Sequence, residues 1–251
     1  MNETTRMSTA DMTALVTGAA GAIGSAVTNA LLHDCARVIA VDVDEAGLVA
    51  LKNRHPNVIP MSADFSSISN VESLASEVVK QFGCVDILVN NAGVLSNNKI
   101  IDTRNEEWNQ VHAVNVDAAF ALIRTLVSPM RRQQWGRIVN LASFAAKSGG
   151  LTSGTAYSVS KAAMIGLTFS VARETAAEGV TVNAIAPAYV MSQMIETQLT
   201  AEQREKQLTS IPVGRFCEPV EVAHTVRFLA SPLAGFITGE VIDMNGGLQF
   251  D

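Results

Sequence analysis

One short stretch limits the fold more than any other. An apolar run, Ala14–Thr17, leads straight into Thr17-Gly18-Ala19-Ala20-Gly21-Ala22-Ile23-Gly24, and the residues that follow have helical spacing. Glycines at every third position make a tight strand-to-helix turn. Gly18, Gly21 and Ile23 then present backbone to a ligand at close range, and the start of the next helix favours negative charge. A pyrophosphate fits that description. No lysine follows the last glycine, which excludes the phosphate loop of nucleoside triphosphatases. A second β-branched run, Val38–Val41, ends at Asp42, some eighteen residues beyond Gly24. A carboxylate there accepts both hydroxyls of an adenosine ribose and repels a 2′-phosphate. Neither Arg nor Lys occupies the glycine turn or position 43, so NAD(H) is expected in preference to NADP(H). The rival reading makes Asp42 the cap of the next helix, a place that Asp44 can also fill.

The same alternation continues along the chain. Further apolar runs fall at Val58–Met61, Ile87–Val89, Arg137–Leu141, Val180–Ile185 and Glu240–Asp243. Helical windows lie between them at Val71–Phe82, from Thr103 toward Met130, at Tyr157–Ala177 before Gly179, and at Pro219–Leu229. Thr103-Arg104-Asn105-Glu106 has the spacing of a capping box. Hydrophobic residues make up 48% of the chain and aromatics only 5%, so small aliphatic side chains fill the core. Continuous apolar strands alternating with helices predict a single-domain, Rossmann-like α/β fold, a doubly wound parallel sheet with helices on both faces. Residues 1–12 read as a polar tail, and residues 13–251 as one catalytic domain.

Composition narrows the partners. With 18 basic and 24 acidic residues the net charge is −6, and no dense basic run exists. Nucleic acid and anionic membrane are not expected partners. Cys35, Cys84 and Cys217 are far apart and form no CxxC, and the four histidines are scattered, so neither a disulfide nor a metal site is expected. The apolar stretch Ala14–Val27 is too short to span a bilayer, and no Lys/Arg-rich segment precedes it as in a signal peptide. A cytoplasmic location is expected.

Tyr157 and Lys161 are four residues apart in a helical window and share one face. A phenol with a reference pKa of about 10 is a poor base at neutral pH, and a neighbouring ammonium is expected to lower that pKa. Such a tyrosine exchanges a proton with a substrate oxygen while hydride moves at carbon. Ser143, closing the fifth strand, is placed to hold that oxygen beside the phenol. Taken alone, each of these residues also reads as an ordinary surface or turn residue.

Together with the glycine turn they resemble the short-chain dehydrogenase/reductase family, and the likeness covers almost everything after Met12. Thr17–Gly24 is similar to its TGxxxGxG turn. Asn90-Asn91-Ala92-Gly93 is similar to its NNAG segment, and Asn115 to its helix asparagine. Ser143, Tyr157 and Lys161 complete its tetrad. Pro187-Ala188-Tyr189-Val190-Met191-Ser192 resembles its PG motif, and Thr238–Gly247 its C-terminal end. Three positions depart from the pattern: Ala22 and Ala188 stand for glycines, and Ser192 for threonine.

The resemblance implies roles. Tyr157 is the general acid/base, and Lys161 lowers its pKa and binds the nicotinamide ribose. Ser143 positions the substrate carbonyl, and Asn115 holds a water linking Lys161 to a proton path. Asp64 and Phe65 flank the adenine. Asn91, Ala92 and Gly93 lie along the cofactor, and Pro187, Val190 and Ser192 approach the carboxamide. The implied reaction interconverts a secondary alcohol and a ketone on a small molecule, either a 3-oxoacyl thioester or a sugar or polyol. Pairing of the two long helices into a homotetramer is also implied. Residues 189–211 are expected to form a substrate lid. Its Met191, Met194, Ile195 and Leu199 either face an apolar substrate or pack the lid on the body. A non-catalytic dinucleotide sensor is the competing class, which the intact tetrad opposes.

Overall fold

A computed structural model of the protein describes residues 11–191 and 200–250. Its strands are β1 (Thr13–Thr17), β2 (Arg37–Asp42), β3 (Val58–Ser62), β4 (Ile87–Asn90), β5 (Gly136–Leu141), β6 (Val180–Pro187) and β7 (Val241–Met244). All pair in parallel, in the order β3-β2-β1-β4-β5-β6-β7. Every residue of β1, β4, β5 and β6 is buried. That double-sided burial is why these segments read as unbroken apolar runs rather than alternating ones.

The helices are α1 (Ala22–Leu31), α2 (Glu45–Arg54), α3 (Ile68–Phe82), α4 (Asn105–His112), α5 (Ala118–Arg132), α6 (Ala145–Ser148), α7 (Thr155–Thr175), α8 (Ala201–Ser210) and α9 (Pro219–Ala230). Alternate residues of β1 face opposite layers, as a period of two requires. Ala14 and Val16 pack with Val27 and Leu31 of α1 and with Val222, Val226 and Leu229 of α9. Leu15 packs with Val71, Leu74 and Val78 of α3 and with Leu122, Leu126 and Met130 of α5. The expected doubly wound architecture is therefore the observed one.

Local differences have physical reasons. No capping box forms at Thr103, because its hydroxyl donates to the carbonyls of Asn98 (3.1 Å) and Lys99 (2.9 Å). A capping box forms instead ahead of α9, where the Glu221 carboxylate accepts from the Glu218 N–H at 2.8 Å and Pro219 supplies the first helical residue. The long helical window is not one α-helix: a π-helical turn, Ala113–Asp117, joins α4 to α5. Taken as one helix, Asn105–Arg132 is long and apolar enough to cross a membrane, yet Leu122, Leu126 and Met130 lie in the core. Met12, assigned to the tail from sequence, is fully buried, and its carbonyl accepts from the Ala36 N–H. Residues 1–10 of that tail, and residues 192–199 of the expected lid, lie outside the described residues.

Candidate active site

After β3 the chain crosses the sheet to place β4 beside β1, so the strand order reverses there. A crevice opens at the carboxyl ends of strands at such a point. Here it is a cleft of about 1150 Å³ running from the ends of β1 and β2 to the start of α7.

The half nearest β1 is built of backbone. Gly18 has a φ of +63°, and a Cβ there would lie 2.9 Å from Ala92 Cα. Only glycine meets both conditions. Thr17 locks the two strand ends together: its hydroxyl accepts from the N–H groups of Asn91 (3.0 Å) and Ala92 (2.9 Å). The Asn91 carboxamide donates to the carbonyls of Thr17 (2.9 Å) and Gly18 (3.1 Å). A Cβ on Gly24 would fall 2.0 Å from the Gly18 carbonyl, so its absence lets α1 start close to β1. No side chain caps α1 at Gly21, and its first turn carries no acidic residue. Gly21, Ala22, Ile23 and Gly24 line the cleft. First-turn N–H groups without a side-chain cap are what a diphosphate requires, so the residues present fit a dinucleotide. Neither Ala22 nor Ala188 has a positive φ. Gln134 is the sole non-glycine residue with one among the described residues, so neither alanine is strained.

Asp42 closes β2 at the cleft wall, with Asp64 and Phe65 nearby after β3. Its carboxylate accepts from the Ala20 N–H (2.9 Å) and the Asp44 N–H (3.0 Å). Asp44 caps α2, accepting from the Gly47 N–H at 3.0 Å. The rival role for Asp42 thus falls to Asp44.

At the other end, Ser143 follows β5 and Tyr157 and Lys161 sit on α7, all three lining the cleft. The Ser143 hydroxyl accepts from the Ala145 N–H at 3.1 Å, and it is the polar group that acts on the Tyr157 phenol. Lys161 is 5% exposed and donates to the Leu141 carbonyl at 2.6 Å. Its Nζ lies 5.8 Å from the Tyr157 ring centroid. Burial pushes the Lys161 ammonium down to about 8. The phenol does not follow the expectation from sequence. Burial raises its pKa, and Ser143, not Lys161, is what pulls it back.

Asn115 does not line the cleft. It sits 1% exposed in the π-helical turn behind it. Its side chain accepts from the Val94 N–H (2.8 Å) and donates to the Val94 carbonyl (3.1 Å) and to Ser160 Oγ (2.9 Å). Ser160 in turn donates to the Tyr157 carbonyl at 2.7 Å. Gly93 fills the space between, where a Cβ would lie 3.3 Å from Asn115 Oδ1 and 3.4 Å from Lys161 Nζ. Pro187 and Val190 line the cleft after β6, whereas Ser192 lies outside the described residues. Lys147 does not line it and pairs with Asp243 of β7. Sequence reasoning missed Ser160, whose position three residues after Tyr157 was a usable signal. It also missed Gln207 of α8, which lines the cleft without any motif to mark it. Among the described residues, no group of three or more His, Cys, Asp or Glu side chains could hold a metal ion.

Comparison with known proteins agrees with this geometry. Residues 18–249 match a family described as enoyl-(acyl carrier protein) reductase. A 3-oxoacyl-[acyl-carrier-protein] reductase FabG of Vibrio cholerae is 37% identical over 236 residues, covering 94% of this chain and 96% of the relative. The protein of that name from Staphylococcus aureus is 37% identical over 240 residues, covering 94% and 97%. A solved structure from Beutenbergia cavernae, named for a proposed NAD(P) dependent gluconate 5-dehydrogenase, superposes with a TM-score of 0.89 at 32% identity, covering 95% of this chain and 97% of that one. The chain belongs to the short-chain dehydrogenase/reductase family. It is an oxidoreductase that interconverts an alcohol and a ketone with a nicotinamide cofactor, and nothing supports a non-catalytic sensor.

The expected preference for NAD(H) over NADP(H) is corrected by the same comparison, because the Beutenbergia cavernae structure was solved with NADP bound at low occupancy. By sequence alone, Asp42 reads as a free carboxylate awaiting a ribose. In the structure both of its oxygens already accept backbone N–H groups, and it serves to shape the turn.

Proposed function

We propose that the protein is an NADP(H)-using alcohol/ketone oxidoreductase in which Ser143 and Tyr157 hold the reacting oxygen and Tyr157 exchanges its proton. The observation that carries this reading is that Ser143, Tyr157 and the buried Lys161 line one cleft, which also receives the uncapped start of α1. A bound nicotinamide supplies the hydride donor or acceptor. In the reducing direction the Tyr157 phenol donates its proton to the carbonyl oxygen, and in the oxidising direction the phenolate receives it from the hydroxyl. The Ser143 hydroxyl orients that oxygen. Lys161 adds positive charge near the phenolate, favouring it only once a charge develops. Asn115 is a positioning residue that fixes the Val94 backbone and, through Ser160, the start of α7. Gly18, Gly21 and Ile23 take the diphosphate, Asp42, Asp64 and Phe65 the adenosine end, and Asn91, Ala92, Gly93, Pro187, Val190 and Ser192 the nicotinamide side.

The named relatives support two substrate classes, a 3-oxoacyl thioester and a hydroxylated sugar acid. A cytoplasmic homotetramer fits the resemblance. The test is absorbance of the reduced nicotinamide with NADPH and a panel of ketones from both classes. Tyr157→Phe should still bind the cofactor while turnover falls about a hundred-fold or more. Full activity in that variant would refute the assignment.

A further inference from the structure

Two buried polar atoms in the cleft have no partner. Gln207 of α8 is only 9% exposed, and its Oε1 is buried without a hydrogen bond. Ser148, the last residue of α6, has a buried Oγ in the same condition. Both residues line the cleft that contains Ser143 and Tyr157. Leaving such atoms unpaired is costly, so most buried polar atoms in native proteins have partners, and an orphan inside a ligand cleft is one the ligand can satisfy.

Their place in the fold puts them at the substrate end. Ser148 lies five residues after Ser143, on the short helix that packs against α7. Helix α8 follows β6, which pairs with β5, the strand that leads into Ser143, and lies across the sheet from β2 and β3, where Asp42 and Asp64 mark the adenosine end. We infer that Gln207 and Ser148 form a second polar subsite that receives a hydroxyl of the substrate, and hence that the substrate is a hydroxylated ketone or its polyol, not one presenting plain hydrocarbon there. The chemistry is specific. A carboxamide oxygen accepts only, so its partner must donate, whereas a serine hydroxyl does either. A substrate hydroxyl can therefore donate to Gln207, and can donate to or accept from Ser148. This inference rests on the reading of Ser143 and Tyr157 as the site of the reacting oxygen.

The test compares kcat/KM, with NADPH, for a six-membered cyclic ketone and for its monohydroxylated ring isomers. The wild-type protein should favour one hydroxylated isomer over the parent ketone by about ten-fold or more, since a substrate lacking the hydroxyl leaves both atoms unpaired. Gln207→Leu should collapse that preference, mainly through a higher KM for the hydroxylated isomer, and Ser148→Ala should reduce it. Gln207→Glu, which keeps an acceptor, should retain more of it than Gln207→Leu. A purely structural glutamine would give the reverse order, because a buried carboxylate disturbs the fold more than a leucine does. A preference unchanged in both Gln207→Leu and Ser148→Ala overturns the inference. So does an effect confined to the KM for NADPH, which would assign Gln207 to the cofactor. Either result leaves the acid/base assignment standing. That assignment fails separately, if Tyr157→Phe still reduces these ketones.

Discussion

A methyl group is all that separates Gly18 from alanine, yet the site has no room for it. The added carbon would press on Ala92 at 2.9 Å while the backbone stayed at a φ of +63°. Gly18→Ala should cost about 1–3 kcal/mol in urea unfolding and should weaken cofactor binding, because the strand end and the phosphate turn must shift together. Unchanged stability would mean that the turn relaxes freely. Lys161 makes a second prediction at this scale. Its ammonium, held down to about 8, is present at neutral pH and is lost as pH rises through that value. Ketone reduction needs that charge and a proton on Tyr157, so kcat/KM should fall along an alkaline limb near pH 8. Stability should move oppositely. From about 8 to the ordinary 10.5 the unfolded chain binds the proton that the folded chain has released, so stability rises with pH across that window. A rate flat to the top of that window would remove Lys161 from the mechanism. At this scale the sequence was legible where a motif named the residue, as at Tyr157 or Gly18. It was illegible where hydrogen bonds reassign a side chain. Asp42 has the spacing of a ribose acceptor, and only its hydrogen bonds reveal that it also holds the Ala20 and Asp44 N–H groups and so shapes the turn.

Elements were read from the periodicity of their burial, and they were read well where burial is uniform. The all-buried β5 and β6 could hardly be missed. Thr103 shows the limit, since a capping box is a spacing rule and the hydroxyl found nearer carbonyls in its own loop. The π-helical turn at Ala113–Asp117 shows it again, because no apolar period distinguishes a widened turn from a regular one. Asn115 is the residue that this turn serves. Asn115→Ala would strip the half-buried Val94 N–H and carbonyl of their partners, so it should cost about 1–3 kcal/mol by chemical denaturation. Hydrogen exchange at Val94 should rise with it. A variant as stable as the parent would show that water replaces the carboxamide without loss.

Over the whole molecule, seven parallel strands in this order bring Gly18, Ser143, Tyr157 and Lys161 to one cleft. The doubly wound parallel architecture follows from the alternating pattern, whereas the strand order and the faces left uncovered do not. Phe120 of α5 and Phe169 of α7 remain 46% and 50% exposed on the long helices. Large apolar groups on such faces suit burial against other copies of the chain. If the chain forms the homotetramer proposed above, light scattering should find four chains per particle, and Phe169→Asp should shift the population toward smaller species. A wild-type protein that scatters as a monomer would leave those phenylalanines without that role.

The widened turn between α4 and α5 also preserves a rotational phase. Each residue advances an α-helix by about 100°, and the wider turn at Ala113–Asp117 takes up one extra residue with little change of angle between the two helical segments. Removing one residue there would restore regular helix, leave Leu122, Leu126 and Met130 facing the sheet, and dislodge Asn115. Removing one from the regular helix beyond it would instead rotate part of that core face by the full angle. The same one-residue change is thus a packing defect in α5 and a local defect at Asn115 in the joint.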